Sequence, residues 1–249
     1  MALQLADPSV GRGFIFTFVG EGGLGKTALG ASFPSPIFIP TEDGLIPPNV
    51  DRFPLCKSSD EVIQRLREVG ADPDQANRTV VLDTITQLNI LIEQEIVDGD
   101  SKKPKSINTA LGGYGAGQGA VSAKHKLIRD WCGLLSQERG LHIVFLAHAT
   151  TETVKPPDQD EYFRYSIRMN QRSVSHYSDN TDLVGYVKLQ TFTRKTGEGL
   201  NERTLAQSDG KRVIACYPHA SSIAKNRFNI TTDVPYEMGL NPFSPLVGQ

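Results

Sequence analysis

The chain has 249 residues, 39% of them hydrophobic and 22% charged, with a formal net charge of −2. That is enough for one large α/β domain with a substantial core, and the near-neutral balance excludes a global basic field, so any nucleic-acid contact has to come from local loops. Cys56, Cys132 and Cys216 form neither a C-x-x-C pair nor a zinc pattern, the five histidines make no H-E-x-x-H group, and no apolar run approaches a membrane span. A reducing cytoplasm and no membrane partner are the expectation.

In chain order, residues 14–19 (Phe-Ile-Phe-Thr-Phe-Val) read as a buried strand that runs into a glycine-rich turn, with a helical stretch from Lys26 to about Ser32. Residues 37–39 are a candidate second strand. Residues 58–69 read as a helix: Ser58 and Glu61 make a capping box, Val62, Ile63, Leu66 and Val69 share a face, and Gly70 stops it. Residues 79–83 form a third strand, residues from about 85 to 97 a helix, and 98–120 a long polar, glycine-rich loop. A helix from about 121 to 137 leads to a fourth strand at 142–147, and a second long loop covers about 150–181. Strands are expected at 183–192, 212–216 and 222–227. The tail after Ile230, with Pro235, Pro242 and Pro245, reads as irregular. Strands alternating with helices predict an α/β fold: a mostly parallel central sheet flanked by helices, with antiparallel strands near the C-terminus. The expectation is a single domain over 1–249, its core at about 14–230.

The turn Gly20-Glu21-Gly22-Gly23-Leu24-Gly25-Lys26-Thr27 is a full G-x-x-x-x-G-K-[ST] phosphate-binding loop in the strand–loop–helix context that the motif requires. Glycines let backbone N–H groups turn toward a phosphate. Lys26 can reach the terminal phosphates and the Thr27 hydroxyl can hold Mg²⁺. Gly20 to Thr27 and the following Ala28 are therefore the candidate nucleotide-binding residues, with ATP and Mg²⁺ as ligands. Each of the first four strands ends in a polar group, at Gly20, Glu42, Asp83 and His148, and ligands of such sheets sit beyond the strand C-terminal ends.

Asp83 has the form of the second nucleotide-binding motif, an aspartate for the magnesium shell; a helix N-cap is its plainer alternative. Thr84 follows it, so a paired Asp-Glu ending is absent. Glu42 is the candidate base for the attacking water, with Asp43 as its competitor. His148 can sense the terminal phosphate or be an ordinary strand-end histidine. Near the C-terminus, Lys225 and Arg227 stand two apart, so on a strand both point to one face and suit a phosphoryl group whose charge must be stabilised. A solvated edge strand is the alternative.

These residues together resemble the RecA-like ATPase family. The segment Lys225-Asn226-Arg227-Phe228 resembles the finger motif of the RadA recombination protein and DnaB-type replicative helicases, with Asn229 in place of the usual glycine; Asn tolerates the left-handed conformation. In size and order the chain is most similar to phage single-strand annealing ATP-binding proteins of the Sak group. The matched features are 20–27, 41–45, 80–84, the stretch Gly112-Gly113-Tyr114-Gly115, 145–148 and 224–228. The resemblance implies a DNA-stimulated ATPase for annealing and recombination. It also implies a homo-oligomeric ring or filament whose finger reaches the neighbouring subunit's nucleotide. Single-stranded DNA, a single-strand DNA-binding protein and, for a phage protein, the bacterial host cytoplasm are the implied partners and place.

In that fold, loops after the third and fourth strand regions line the DNA path. The first such region holds Lys102, Lys103, Lys105, Tyr114, Lys124 and Lys126, and the second Tyr162, Phe163, Arg164, Tyr165, Arg168 and Arg172. Cations interleaved with aromatics suit a single strand, although Asp158, Asp160 and Glu161 weaken the second group. A helicase motor or loader, and a nucleotide-gated assembly protein without a DNA substrate, are the competing readings.

Overall fold

In the computed structural model, which describes residues 11–73, 78–196 and 203–248, a single ten-stranded sheet is found among the described residues. At its centre, β1 (Ile15–Gly20) lies between β5 (His142–Val154) and β7 (Leu183–Thr196), parallel to both. Beyond β5 come β4 (Thr79–Asp83), β2 (Pro36–Pro40) and the short β3 (Asp51–Arg52), all parallel. Beyond β7 the sheet turns antiparallel, through β8 (Arg203–Ala215) to β10 (Val234–Tyr236). Two strands leave this path: β6 (Tyr162–Ile167) pairs with the outer half of β5, and β9 (Lys225–Asn226) with the start of β7. This is the mixed, mostly parallel architecture that the alternation predicts.

Strand periodicity divides the core in two. Ile15, Val80, Leu82, Ile143 and Phe145 face one side. There they meet α2 (Ser59–Ala71), α3 (Ile85–Gly99), α4 (Ala116–Arg139) and α5 (Gln171–Ser178) through Leu66, Leu88, Ile128 and Tyr177. Phe16, Phe18, Val81, Val144 and Leu146 face the other side, against α1 (Lys26–Ala31) and the C-terminal segment. Strands buried on both faces explain the unbroken apolar runs in the sequence.

Several local expectations are corrected. Gly70 does not stop α2, which runs to Ala71; a Cβ at 70 would stand 3.0 Å from Leu135, so the glycine serves close packing against α4. Ser58 does cap the helix, accepting from Glu61 N–H at 3.2 Å, but Glu61 reaches back to the N–H of Lys57. The loop expected at 98–120 is shorter, because α4 begins at Ala116. Gly117 sits in its first turn, where a Cβ would fall 2.2 Å from the carbonyl of Ile107, so here glycine marks a close approach rather than a loop.

The region 150–181 is not a loop: β5 continues to Val154, β6 returns beside it, and α5 follows. Nor is the tail irregular. It contains β10 and α6 (Ser244–Val247), and it buries Tyr236, Phe243 and Val247 among the phenylalanines of β1.

Candidate nucleotide site

β1 ends at Gly20 and the loop that follows turns on Gly23 (φ 78°) and Gly25 (φ 86°), conformations that disfavour side chains. Gly25 is also covered: Tyr236 Oη donates to its carbonyl at 2.7 Å, and a Cβ there would stand 3.3 Å from Met238 Cε. Lys26 opens α1, is buried, and curls back so that Nζ donates to Gly20 O at 3.0 Å and Glu21 O at 2.8 Å. Burial lowers its pKa, with Asp83 and Glu42 pulling the other way.

The strand order brings the other strand ends to this loop. β5 lies between β1 and β4, yet Thr27 Oγ1 donates to Asp83 Oδ2 at 2.8 Å across it. Asp83 is buried, and that burial lifts its carboxyl to about 6, opposed by the Thr27 hydrogen bond. Thr27 and Asp83 are hard oxygen donors and fit Mg²⁺, which normally takes one or two protein oxygens and completes its shell with phosphates and water. Among the described residues no group of three His, Cys, Asp or Glu could hold a metal ion.

Glu42, just beyond β2, accepts from Thr84 Oγ1 at 3.1 Å and lies 3.4 Å from His148 Nε2. The His148 hydrogen bond holds its carboxyl below the usual range, so it stays a carboxylate. Thr84, standing where a second acid would, thus orients the acid that β2 supplies. Two further threonines tie the strand ends together: Thr41 Oγ1 donates to Thr84 O at 2.7 Å and accepts from Thr84 N–H at 3.0 Å, and Thr86 Oγ1 accepts from His148 N–H at 2.9 Å. The sequence assigned no site role to Thr41, Thr84, Thr86 or Tyr236. Their partners are remote in the chain, and only the position of the three threonines beside strand ends hints at them.

Lys225 and Arg227 lie elsewhere. β9 pairs with Leu183 and Val184, and Leu183 stands beside Phe16, while Val187 stands beside Gly20. The pair is therefore toward the opposite end of the sheet, with Lys225, the nearer of the two, about 10 Å along the strands from the phosphate loop of the same chain. Both face residues 179–182: Lys225 Nζ donates to Asp179 O, and Arg227 Nη1 to Asp182 Oδ1 at 3.0 Å. Asp182 is buried and also takes both guanidinium nitrogens of Arg12, at 3.0 and 2.5 Å, and the N–H of Ile15. The two cations line different cavities, Arg227 one with Arg12 and Arg129, Lys225 one with Arg164. Asn229 takes φ 56°, the left-handed conformation for which its residue type is suited.

The candidate DNA residues are not one set. Lys102, Lys103, Lys105 and Tyr114 are exposed or nearly so, on a loop ordered by Asp100, whose carboxylate accepts from the N–H groups of Lys102 and Leu111. Lys124 is instead on α4, paired with Glu95 at 2.7 Å and donating to Ser59 Oγ. Arg164 is on β6 and bonded to Glu152 at 2.5 Å, and Arg172 is on α5 with its guanidinium on Gly115 O at 2.9 Å. Lys124, Arg164 and Arg172 thus carry bonds within the chain, and Arg164 and Arg172 stand on a strand and a helix rather than in the expected loop. Arg168 is exposed where β6 returns to the site, its N–H bonded to His148 O and its charge felt by Lys26.

A family model described as an AAA domain matches residues 12–228. No curated protein matches the sequence. Among the described residues no helix is long and apolar enough to cross a membrane. The family match spans both the phosphate loop and the segment that carries Lys225 and Arg227, and the chain accordingly belongs to the AAA domain family, a nucleotide-binding, P-loop ATPase type of domain.

Proposed function

We propose that this chain is a RecA-like ATPase of the phage Sak type, working as a homo-oligomeric ring or filament that binds single-stranded DNA and promotes annealing. The observation that carries the reading is the separation of Lys225 and Arg227 from their own phosphate loop, which suits a site completed by the adjoining subunit. ATP lies along Gly20 to Ala28, and Lys26 exchanges its two carbonyl acceptors for phosphate oxygens. Mg²⁺, held through Thr27 and Asp83, supplies charge neutralisation at the terminal phosphates. Glu42, kept ionised by His148 and aimed by Thr84, orients and deprotonates the attacking water.

The DNA part of the reading is supported by the β5–β6 hairpin, which grows directly out of the strand carrying His148 and presents Phe163, 75% exposed, near its tip, with the exposed Arg168 just past its base. Rings that stack on bases beside cations that follow phosphates suit a single strand. A second reading, a nucleotide-gated assembly protein without DNA, is favoured by the internal bonds of Lys124, Arg164 and Arg172.

The test is the ATPase rate with and without single-stranded DNA, alongside particle imaging of the same sample. The proposal expects stimulation by DNA, loss of turnover in Lys26→Ala, and DNA binding that weakens steeply with salt. ATP-dependent particles whose turnover ignores DNA would select the second reading. Undiminished turnover in Lys26→Ala would overturn both.

A further inference from the structure

The sheet places the candidate hydrolytic groups on one side of β1. Asp83 ends β4, Glu42 follows β2 and His148 lies within β5, whereas β7, β8 and β10 lie on the other side. A triphosphate whose terminal phosphate faces Glu42 and Asp83 points its opposite end toward β8 and β10. At that end is a cavity of about 660 Å³, lined by Arg212, Tyr236, Met238, Leu240 and Asn241. It adjoins the phosphate loop through Tyr236 and Met238, which both contact Gly25.

Two features of the cavity call for a ligand. Met238 and Leu240 are 50% and 59% exposed on its wall, although neighbouring Tyr236 and Phe243 are buried. Arg212 Nε and Asn241 Nδ2 are buried donors without a hydrogen-bond partner. Buried donors are almost always satisfied, so such a pair needs an acceptor. The Asn241 amide is oriented by its own Oδ1, which accepts from the Phe243 N–H at 2.9 Å, leaving Nδ2 as the unsatisfied end.

We propose that this cavity is the nucleoside subsite: Met238 and Leu240 cover the flat face of a purine, and Arg212 and Asn241 donate to acceptors of its edge or ribose. The inference rests on the reading of residues 20–28 as the triphosphate site. It makes the C-terminal segment part of the binding site.

Titration calorimetry of the full chain with ATP and with inorganic tripolyphosphate, both with Mg²⁺, tests it. The wild type should bind ATP at least about tenfold tighter than tripolyphosphate. Arg212→Ala and Met238→Asp should each lower ATP affinity about tenfold and leave tripolyphosphate affinity unchanged, which also shows that the loop is folded. Unchanged ATP affinity in both variants would overturn the subsite, and altered oligomer size in that case would assign Met238 to a contact between copies. A parallel loss of tripolyphosphate binding in both would assign the residues to loop stability and overturn it too. If neither ligand bound the wild type, the phosphate-loop reading would fall first.

Discussion

Asp83 is a side chain whose surroundings conflict with its charge. Burial raises its carboxyl to about 6, so the folded protein keeps a proton over a range where the unfolded chain has released it. A raised folded-state pKa stabilises at low pH, and that contribution is lost as pH rises through about 6. Asp83→Asn removes the titration and keeps an oxygen for Thr27. In metal-free and nucleotide-free buffer at pH 8 the variant should be more stable than wild type by up to about 3 kcal/mol. The advantage should shrink as pH falls from about 6 toward about 4 and vanish below the unfolded value of about 3.9, where Asp83 is neutral in both states. Denaturant unfolding across pH measures it. The same variant should lose magnesium-dependent hydrolysis, a stability cost that the native acid carries for its chemistry.

At the level of elements, Arg129 of α4 holds the far end of α5. Arg129 donates Nε to His176 O at 3.2 Å and Nη2 to Asn180 O at 2.5 Å, holding the end of α5 and the turn into β7. His125 adds a buried link to Tyr177 and Asn89, and burial pushes its pKa down to about 3, so it stays neutral and this link does not titrate in the physiological range. Arg129→Ala should cost about 2 kcal/mol, since two partly buried carbonyls lose their donor. Arg129→Lys should recover only part of it, because an ammonium lacks the guanidinium fork. Urea midpoints of the three proteins provide the comparison. Since the segment carrying Asp179 and Asp182 begins where α5 ends, its loosening should also lower oligomeric turnover more than nucleotide binding.

For the whole molecule, the sheet separates a phosphate loop at one end from Lys225 and Arg227 at the other. On the proposed reading, a chain so built completes its site beside a second copy. Arg227→Ala should lower turnover by about 10³-fold or more while nearly sparing nucleotide binding. Mixed with Lys26→Ala, it should regain part of the turnover that each lacks, because one interface then joins an intact loop to an intact finger. No regain in verified mixed oligomers would confine Arg227 to its bond with Asp182. Asp182→Ala separates these further: it releases Arg227 and Arg12 together, and turnover should fall with the mixed-oligomer regain lost as well.

The phosphate loop, the polar strand ends and the parallel core were legible in the residues because each is a local pattern. A buried strand is a short apolar run, and a loop that wraps phosphate needs its glycines, lysine and threonine in sequence. The roles of Tyr236, Thr41 and Asp182 were not legible, because their partners lie tens or hundreds of residues away and only the strand order unites them. The β5–β6 hairpin was missed because it leaves the core: without a buried face its alternation lacks apolar contrast. Which cations are available depended on folding too, since Glu95 and Glu152 approach Lys124 and Arg164 only in the packed chain. Local chemistry thus identified a nucleotide loop, whereas the long-range pairing of strands settled what surrounds it and what stands beyond its reach.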